Sequence, residues 1–284
     1  MWDVIGRASA AMRVGSDVPG RITRIPGGVA MNIAMTLRRF SMRPILLTAI
    51  GRDEEGDELI AAAERLGMET GFVYRSDDLP TDVYMAIEGA NGLIAAIADA
   101  HSLEAADAKI LAALQDGRLG SKAAPFDGQI ALDGNLTEDL LADIASSALF
   151  AKADLRVAPA SPGKAERLLP LLKCANATIY VNLEEAGLLC NERFETAPEA
   201  ARALLQRGAA NALVTDGGRA AAHASAAGVL TAAPPEVLVT RVTGAGDTFM
   251  AAHMASQARG DAPQEALTAA LRAAAAYVSG DVPS

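Results

Sequence analysis

The sequence has few of the residues that would indicate a disulfide scaffold, a metal cluster or a membrane protein. Its 284 residues include two cysteines and three histidines. Cys174 and Cys190 are too few for a disulfide framework and stand in no metal-ligand spacing, which favours reduced thiols in a cytoplasmic protein. No apolar run approaches the roughly 20 residues that span a bilayer, and residues 1–3 lack the basic start of a signal peptide. We therefore expect no membrane partner.

Aromatic residues and positive charge are also scarce. Aromatics make up 4% of the chain, and 25 basic residues face 35 acidic ones, for a formal net charge of −10. An acidic chain has no general attraction for nucleic acid, so we expect no nucleic-acid partner. Hydrophobic residues nevertheless reach 51%, which excludes an intrinsically disordered chain.

Short apolar runs alternate with amphipathic helical segments along most of the chain. Runs typical of buried parallel strands occur at 4–6, 44–51, 129–132, 155–157, 178–181 and 212–214. Helical spacing is found at 29–40, 54–67, 137–147, 164–172 and 199–207. This alternation predicts an α/β fold with a doubly wound, mostly parallel sheet flanked by helices.

Two stretches interrupt this alternation and are typical of short strands. They cover residues 12–25 and residues 82–100, the second with a hairpin signal at Ala90-Asn91-Gly92. The length would accommodate two domains, but no low-complexity linker divides the chain. We expect one domain over residues 1–284, with both stretches inserted in it as a small β-flap.

The strongest local signal is a glycine-rich turn that leads directly into a helix, GAGDTF from Gly244 onward. Gly244 and Gly246 permit close approach of a ligand. The N–H groups that begin a helix have no intrahelical partner, and they attract an anion such as a phosphoryl group. Asp247 falls in the first helical turn. A plain turn with Asp247 as a capping residue explains the local pattern as well.

Three other loops carry polar residues. Gly27 and Gly28 precede a helix with Asn32, whose amide is able to bind a sugar hydroxyl; a solvated Asn32 at a helix start is the alternative. Asn182 and Glu185 follow a strand and suit either a hydrated Mg²⁺ or a capping box. Residues 215–218 follow another strand, as a phosphate-facing loop or an ordinary turn.

In their order along nearly the whole chain, GGVAMNIA, NLEE, VTDGG and VTGAGDTF resemble the motifs of the ribokinase-like (PfkB-type) carbohydrate kinase family. PTDVYMAIEGANGLIAAIAD, ALDGNLTEDLLADIA and SPGKAERLLPLL, the last with Ser161 and Lys164, most resemble its pseudouridine kinase branch. The resemblance implies a lid made by the β-flap and a homodimer formed through it. It also implies ATP-dependent phosphoryl transfer to a primary (5′) hydroxyl of a sugar or nucleoside, with pseudouridine as the leading acceptor.

The resemblance also assigns roles to the residues singled out above. Asp247 matches the catalytic base, and Gly244, Ala245 and Gly246 match the anion hole. The sugar-binding positions are Gly27, Gly28 and Asn32, the nucleotide-binding positions are Asn182, Thr215 and Gly217, and Glu185 organises Mg²⁺ through water.

Three residues depart from the family pattern. Ala11 stands where an Asp grips two sugar hydroxyls, and Ala158 stands where the pseudouridine kinase branch has Asp. These two keep open another ribose-like sugar or nucleoside as acceptor, or a weakened sensor that binds without efficient turnover. Arg241 replaces an Asp or Asn ahead of the glycine-rich turn, and its charge argues against a K⁺ site there. A dinucleotide-dependent oxidoreductase is disfavoured, because residues 6–11 lack G-x-G-x-x-G.

Overall fold

The computed structural model describes residues 1–281, which contain twelve strands and eight α-helices. The strands are β1 (Trp2–Arg7), β2 (Arg21–Pro26), β3 (Ala49–Gly51), β4 (Tyr74–Ser76), β5 (Val83–Gly89), β6 (Gly92–Asp99), β7 (Gln129–Asp133), β8 (Asp154–Ala158), β9 (Ala177–Asn182), β10 (Asn211–Thr215), β11 (Ala221–Ser225) and β12 (Gly228–Ala232). The helices are α1 (Val29–Arg39), α2 (Glu54–Arg65), α3 (His101–Ala106), α4 (Glu138–Ser146), α5 (Leu183–Cys190), α6 (Ala197–Gln206), α7 (Ala245–Ala258) and α8 (Pro263–Ser279). Three further segments, Asp107–Leu114, Ala148–Phe150 and Pro162–Leu171, are 3-10 helices. Within the described range, no helix is long and apolar enough to cross a membrane.

Contacts between residues group the chain into two compact units. The first comprises Met1–Met31 and Arg43–Ile110, and the second comprises Asn32–Met42 and the residues from Leu111 onward. The first unit contains a four-stranded sheet and the two-stranded pair β3-β4, and the second contains a six-stranded sheet. The expectation of a single kinase domain with inserted lid segments stays a prediction.

The second unit is built on a six-stranded sheet with the order β12-β11-β10-β9-β8-β7. Strands β7 to β10 pair in parallel, and β11 and β12 pair antiparallel at one edge. All four parallel strands lie at predicted positions, so the α/β prediction is confirmed, with a mixed sheet. Strand β11 was not predicted because its alanine-rich sequence, AAHAS, lacks the β-branched and aromatic residues typical of strands, and its partner β12 was not predicted either.

Helices cover both faces of this sheet. Side chains alternate between faces along a strand, and Ala177–Val181 of β9 are all buried, each at most 7% exposed. Helix α7 contacts β9 and packs along α8, whereas α6 contacts β10 and β11 and packs against α5. Burial on both sides explains why these strands are continuous apolar runs in the sequence.

The first unit contains a four-stranded sheet with the order β2-β1-β5-β6. The hairpin expected within 82–100 is confirmed, since β5 and β6 pair antiparallel around Ala90 and Asn91. Gly92 begins β6 at a φ of 94°, a left-handed conformation that glycine adopts without strain.

The strand prediction for residues 12–25 is wrong over most of its length, because only Arg21–Pro26 forms a strand. Residues 12–20 lie outside the sheet. Gly15 has a φ of 82°, and the Ser16 N–H donates to the Arg13 carbonyl at 3.2 Å, closing a turn. Pro19 also lacks the N–H that a strand ladder needs.

Two other segments differ locally from prediction. The run 44–51 is a strand only at Ala49–Gly51, preceded by a single bridge between Ile45 and Glu69. The helix expected at 164–172 is a 3-10 helix over Pro162–Leu171. Pro170 lies inside it and cannot donate the backbone hydrogen bond of an α-helix, which disfavours the regular form.

A partly buried carboxylate, Asp53, organises the start of α2 in the first unit. Asp53 accepts hydrogen bonds from the Gly56 N–H at 2.8 Å and the Thr81 N–H at 2.7 Å, and from the Thr81 hydroxyl. Burial opposes ionisation of Asp53, but the hydrogen bonds from Thr81 and Gly56 outweigh it and lower its pKa below the ordinary 3.8. The ionised form therefore stabilises the folded state.

Replacing this cap should destabilise the protein. Asp53→Ala is expected to lower the free energy of unfolding at pH 7 by about 1–2 kcal/mol, measured by urea denaturation. Because the folded-state pKa lies below the unfolded one, this contribution is present above the unfolded pKa and fades as the pH falls through the folded one. Glu54→Ala, which removes an exposed carboxylate from the same turn, is the control. If both variants unfolded at the same urea concentration, the role of Asp53 would be contradicted.

Candidate active site

The glycine-rich turn and helix predicted near the C-terminus are present. Gly244 is the N-cap of α7 and has a φ of 89°, a conformation that favours glycine. Asp247 lies in the first turn, as predicted. The Ala245 N–H donates to the Val242 carbonyl at 3.0 Å. The predicted anion hole, Gly244, Ala245 and Gly246, thus lies at the start of α7, where helix N–H groups lack intrahelical partners and suit an anion; its role stays a prediction.

A hydrogen bond joins two of the predicted site residues within the second unit. The Asn32 side-chain amide of α1 donates to Asp247 Oδ2 of α7 at 2.8 Å, in a partly buried position. The two residues are 215 positions apart in the chain. Asn32 therefore does not point into solvent, the alternative that the sequence left open, and its contact orients the carboxylate.

The junction of β9 and α5 forms a complete capping box. Asn182 Oδ1 accepts from the Glu185 N–H at 2.9 Å, and Glu185 Oε2 accepts from the Asn182 N–H at 2.8 Å. The capping alternative for this motif is thus confirmed. It fixes Glu185 at the end of β9, where the side chain is only 8% exposed.

The surroundings of Glu185 disfavour the ionised form of its side chain. Its pKa is raised to about 7: burial is the largest cause, the charges of Glu184 and Asp247 also raise it, and the hydrogen bond from the Asn182 N–H lowers it. The influence of Asp247 places two carboxylates of the predicted site within electrostatic reach of each other. A cation between them would favour the ionised form of Glu185.

The carboxyl ends of the parallel strands carry a further polar cluster. Asp133 ends β7 and accepts from the Asn135 N–H at 2.8 Å, and Lys164 Nζ donates to Asn135 Oδ1 at 2.7 Å. Burial raises the pKa of Asp133. In the sequence these segments carry the family resemblance, but no role was predicted for their polar residues. Polar residues directly after a predicted strand were the signal available, because ligands collect at this edge of α/β sheets.

The loop after β10 adopts a turn. Thr215 ends β10, and the Arg219 N–H donates to the Asp216 carbonyl at 2.9 Å across Gly217. The Arg219 guanidinium also pairs with the Asp216 carboxylate at 2.8 Å. The turn alternative is therefore present, and the contact of Thr215 and Gly217 with a nucleotide stays a prediction.

Gly27 and Gly28 lie in the first unit, at the entrance to α1. A Cβ at Gly27 would lie 1.9 Å from the carboxyl carbon of Asp3, so any larger residue here would force the Asp3 side chain to move. Gly28 has a φ of 90° and immediately precedes the helix. The nearby Asp3 carboxylate accounts for glycine at position 27, and the positive φ accounts for glycine at position 28. Their predicted contact with a sugar stays untested.

Mg²⁺ fits the residues present only if the substrate supplies further ligands. Over residues 1–281, no three His, Cys, Asp or Glu side chains are grouped so as to hold a metal ion. Proteins commonly bind Mg²⁺ through one or two carboxylates together with substrate phosphates. Glu185 suits this role, because its carboxylate is buried, the charge of Asp247 also disfavours its ionisation, and a cation would relieve both effects.

Comparison with known proteins decides the family. The profile of the pfkB family carbohydrate kinases matches residues 1–281. The chain belongs to this family. It is therefore a phosphotransferase with an alcohol group as acceptor, as the ordered motifs indicated. Kinases of this family use ATP.

Individual relatives agree with this assignment. The chain is 29% identical over 255 residues to a pseudouridine kinase from Escherichia coli strain K12, covering 88% of this chain and 78% of that protein. A carbohydrate kinase from Agrobacterium tumefaciens matches with a TM-score of 0.81 and 25% identity over 100% of this chain and 91% of the other. A ribokinase from Arabidopsis thaliana, solved with ribose and ATP, matches with a TM-score of 0.74 and 18% identity over 100% and 90%. The ribokinase-like fold is thereby confirmed.

The raised pKa of Glu185 predicts a pH-dependent stability. Because the folded-state pKa, about 7, lies above the ordinary 4.5, the group's contribution is full below the unfolded pKa and is lost as the pH rises through 7. Glu185→Gln keeps an oxygen to accept the Asn182 N–H and removes the ionisation. We expect the unfolding temperature of this variant to vary less between pH 5.5 and 8.5 than that of the wild type.

Glu184→Gln, which removes the neighbouring carboxylate, is the matched control. It is expected to keep most of the wild-type pH dependence, because Glu184 contributes only part of the effect on Glu185. If the unfolding temperatures of the wild type and of Glu185→Gln changed equally with pH, Glu185 would not titrate in this range.

Proposed function

We propose that the enzyme transfers the γ-phosphoryl group of ATP to a primary (5′) hydroxyl, and that its acceptor is pseudouridine, giving pseudouridine 5′-phosphate. The observation that carries the proposal is the Asp247 carboxylate in the first turn of α7, held by Asn32. The pseudouridine kinase at 29% identity supports the acceptor. The ribokinase solved with ribose and ATP supports ATP as the donor.

In this mechanism Asp247 acts as the general base. Its carboxylate accepts the proton of the acceptor hydroxyl as that oxygen attacks the γ-phosphorus, a role worth about 10²- to 10⁴-fold in rate. Asn32 donates to Oδ2 and holds the carboxylate in one orientation. Productive orientation matters because phosphoryl transfer leaves the protein chiefly the tasks of alignment and charge stabilisation.

The start of α7 supplies the complementary positive potential. The N–H groups of Gly246 and Asp247 would stabilise charge on the phosphoryl oxygens, assisted by the helix dipole. Bound Mg²⁺ would neutralise phosphate charge, and Glu185 and Asn182 are the residues proposed to organise it through water, together with the nucleotide. Thr215 and Gly217 are proposed to border the nucleotide, and Gly27 and Gly28 the sugar.

Ala11 favours two other candidates. The first is a kinase that acts on another ribose-like sugar or nucleoside, and the second is a sensor that binds such a ligand with weakened turnover. Ala11 stands where the family's sugar-gripping Asp is expected, and the loss of one charge-assisted hydrogen bond costs about 1.5–3 kcal/mol of binding. Ala158 at the end of β8 carries no polar side chain either. Both substitutions bear on the acceptor and leave the chemistry of Asp247 intact.

A panel of acceptors separates these candidates. ADP release would be followed with Mg-ATP and pseudouridine, uridine, cytidine, adenosine, ribose or fructose 6-phosphate. We expect the highest kcat/KM with pseudouridine. Faster turnover of another acceptor would support the kinase activity but show that pseudouridine is not the acceptor. Binding of an acceptor without turnover of any would favour the sensor.

The role of Asp247 is tested by a single isosteric change. Asp247→Asn should reduce kcat by about 10²-fold or more, because the amide cannot accept the proton, while acceptor binding measured by calorimetry changes little. Asp139→Asn, which alters an exposed carboxylate in α4, should retain wild-type activity. Retained turnover in Asp247→Asn would remove this residue from the role of base.

We also propose that the segments 12–25 and 82–100 act as a lid and that a second copy of the chain covers the lid sheet. Register places Ile22, Met85, Ile87 and Ile97 on one face of the β2-β1-β5-β6 sheet. They are 76%, 47%, 40% and 70% exposed, respectively. Edge strand β6, GLIAAIAD, carries no charge before Asp99. Such a face and edge favour self-association.

Light scattering after size exclusion tests this dimer. The wild type should elute at twice the chain mass of 29.2 kDa. Ile22→Glu combined with Ile97→Glu should give a monomer, because two charges would be buried at the interface. Leu169→Glu, at an exposed position of the second unit, should remain dimeric. A monomeric wild type would contradict the proposal.

A cytoplasmic location is likewise a proposal. Neither Cys174 nor Cys190 takes part in a disulfide. Burial raises the pKa of both thiols, so they are poor nucleophiles. Reduced thiols and acidic composition are typical of proteins from a reducing compartment.

A further inference from the structure

The segment that leads into the glycine-rich turn is attached to the end of α8. The Thr240 N–H donates to the Val278 carbonyl at 2.8 Å, and the Arg241 N–H donates to the same oxygen at 3.2 Å. The Thr240 hydroxyl also donates to it, at 3.0 Å. One carbonyl in the last turn of α8 thus receives three hydrogen bonds from two consecutive residues.

The Arg241 side chain supplies a positive charge at this helix end. Its Nε donates to the Tyr277 carbonyl at 2.8 Å, and its guanidinium carbon lies 3.9 Å from the centre of the Tyr277 ring. The last turn of α8 has no basic residue of its own. The carboxyl end of a helix carries partial negative charge, so Arg241 provides from outside the helix the cation that α8 lacks.

Tyr277 connects this cation to the start of α7. Its hydroxyl donates to the Thr243 carbonyl at 2.9 Å. A Cβ at Gly244 would lie 2.6 Å from the same hydroxyl oxygen, so the tyrosine fills the space beside the N-cap of α7. The ring that stacks under Arg241 therefore directly contacts the turn whose following N–H groups belong to the proposed anion hole.

We propose that Arg241 is a positioning residue for phosphoryl transfer: acting through Tyr277, it holds the Thr243–Gly244 turn and replaces an exchangeable monovalent cation with a charge of the chain itself. This inference rests on the proposed function. Its consequence is an enzyme whose turnover does not depend on K⁺. Removing the guanidinium would loosen the turn and leave the Tyr277 carbonyl able to bind a small cation.

Steady-state kinetics at constant ionic strength test the proposal. The wild type should turn over equally fast in KCl and in tetramethylammonium chloride. Arg241→Ala should lose about 10- to 100-fold in kcat in tetramethylammonium chloride, the range expected for misplaced catalytic groups, with a smaller change in the acceptor KM. KCl or millimolar guanidinium should restore part of that loss. Arg241→Lys, which retains the charge, should lose less than Arg241→Ala.

Two controls separate positioning from simple stabilisation. Tyr277→Phe removes only the hydroxyl and should lower kcat with little change in the unfolding temperature. Arg272→Ala removes an exposed charge from the middle of α8 and should match the wild type. Wild-type kcat in Arg241→Ala would overturn the proposal. A loss of kcat that no cation restores and that follows the loss of thermal stability would overturn it as well.

Hydrogen exchange tests the same contact without reference to activity. Backbone amides of residues 243–248 should exchange faster in Arg241→Ala and Tyr277→Phe than in the wild type or Arg272→Ala. If no acceptor is turned over but exchange accelerates as expected, the proposed function fails while the contact that holds the turn stands. Unchanged exchange in both variants would overturn the role of Arg241 even in an active kinase.

Discussion

The hydrogen bond between Asn32 and Asp247 is the contact on which the candidate site depends. It joins the first turns of α1 and α7 across 215 positions of the chain and sets the orientation of the carboxylate proposed as general base. Helix α7 is held in turn by its packing on β9 and α8. A carboxylate without this partner would sample several rotamers, and phosphoryl transfer tolerates little misalignment.

Charge at the site follows a consistent pattern. Burial raises the pKa of both Glu185, which follows β9, and Asp133, which ends β7; β8 lies between these two strands. In a protein of net charge −10, an anionic nucleotide needs local positive potential. The chain offers the N-terminus of α7 and Lys164, which lies beside Asp133 through Asn135. A divalent cation brought with the nucleotide would relieve the repulsion around Glu185.

Sequence patterns predicted the elements whose residues depend on local rules. Strands β7 to β10 were predicted because burial on both faces requires continuous apolar runs, and α7 because glycines precede a helical segment. Residues 12–20 were assigned wrongly, because alternating apolar residues there are interrupted by Gly15 and Pro19. Tertiary contacts were beyond prediction. The motifs named both Asn32 and Asp247, but no local pattern reports that they touch, or that Tyr277 links Arg241 to Gly244.

A double-mutant cycle on the Asn32–Asp247 pair tests the central claim most directly. Single-turnover rates of phosphoryl transfer, at saturating ATP and acceptor, would be compared for the wild type, Asn32→Ala, Asp247→Asn and the double variant. If Asn32 acts by orienting Asp247, the double variant should be about as slow as Asp247→Asn alone, because the two losses share one cause. Losses that multiply across the cycle would show that the two residues act independently and would contradict the account.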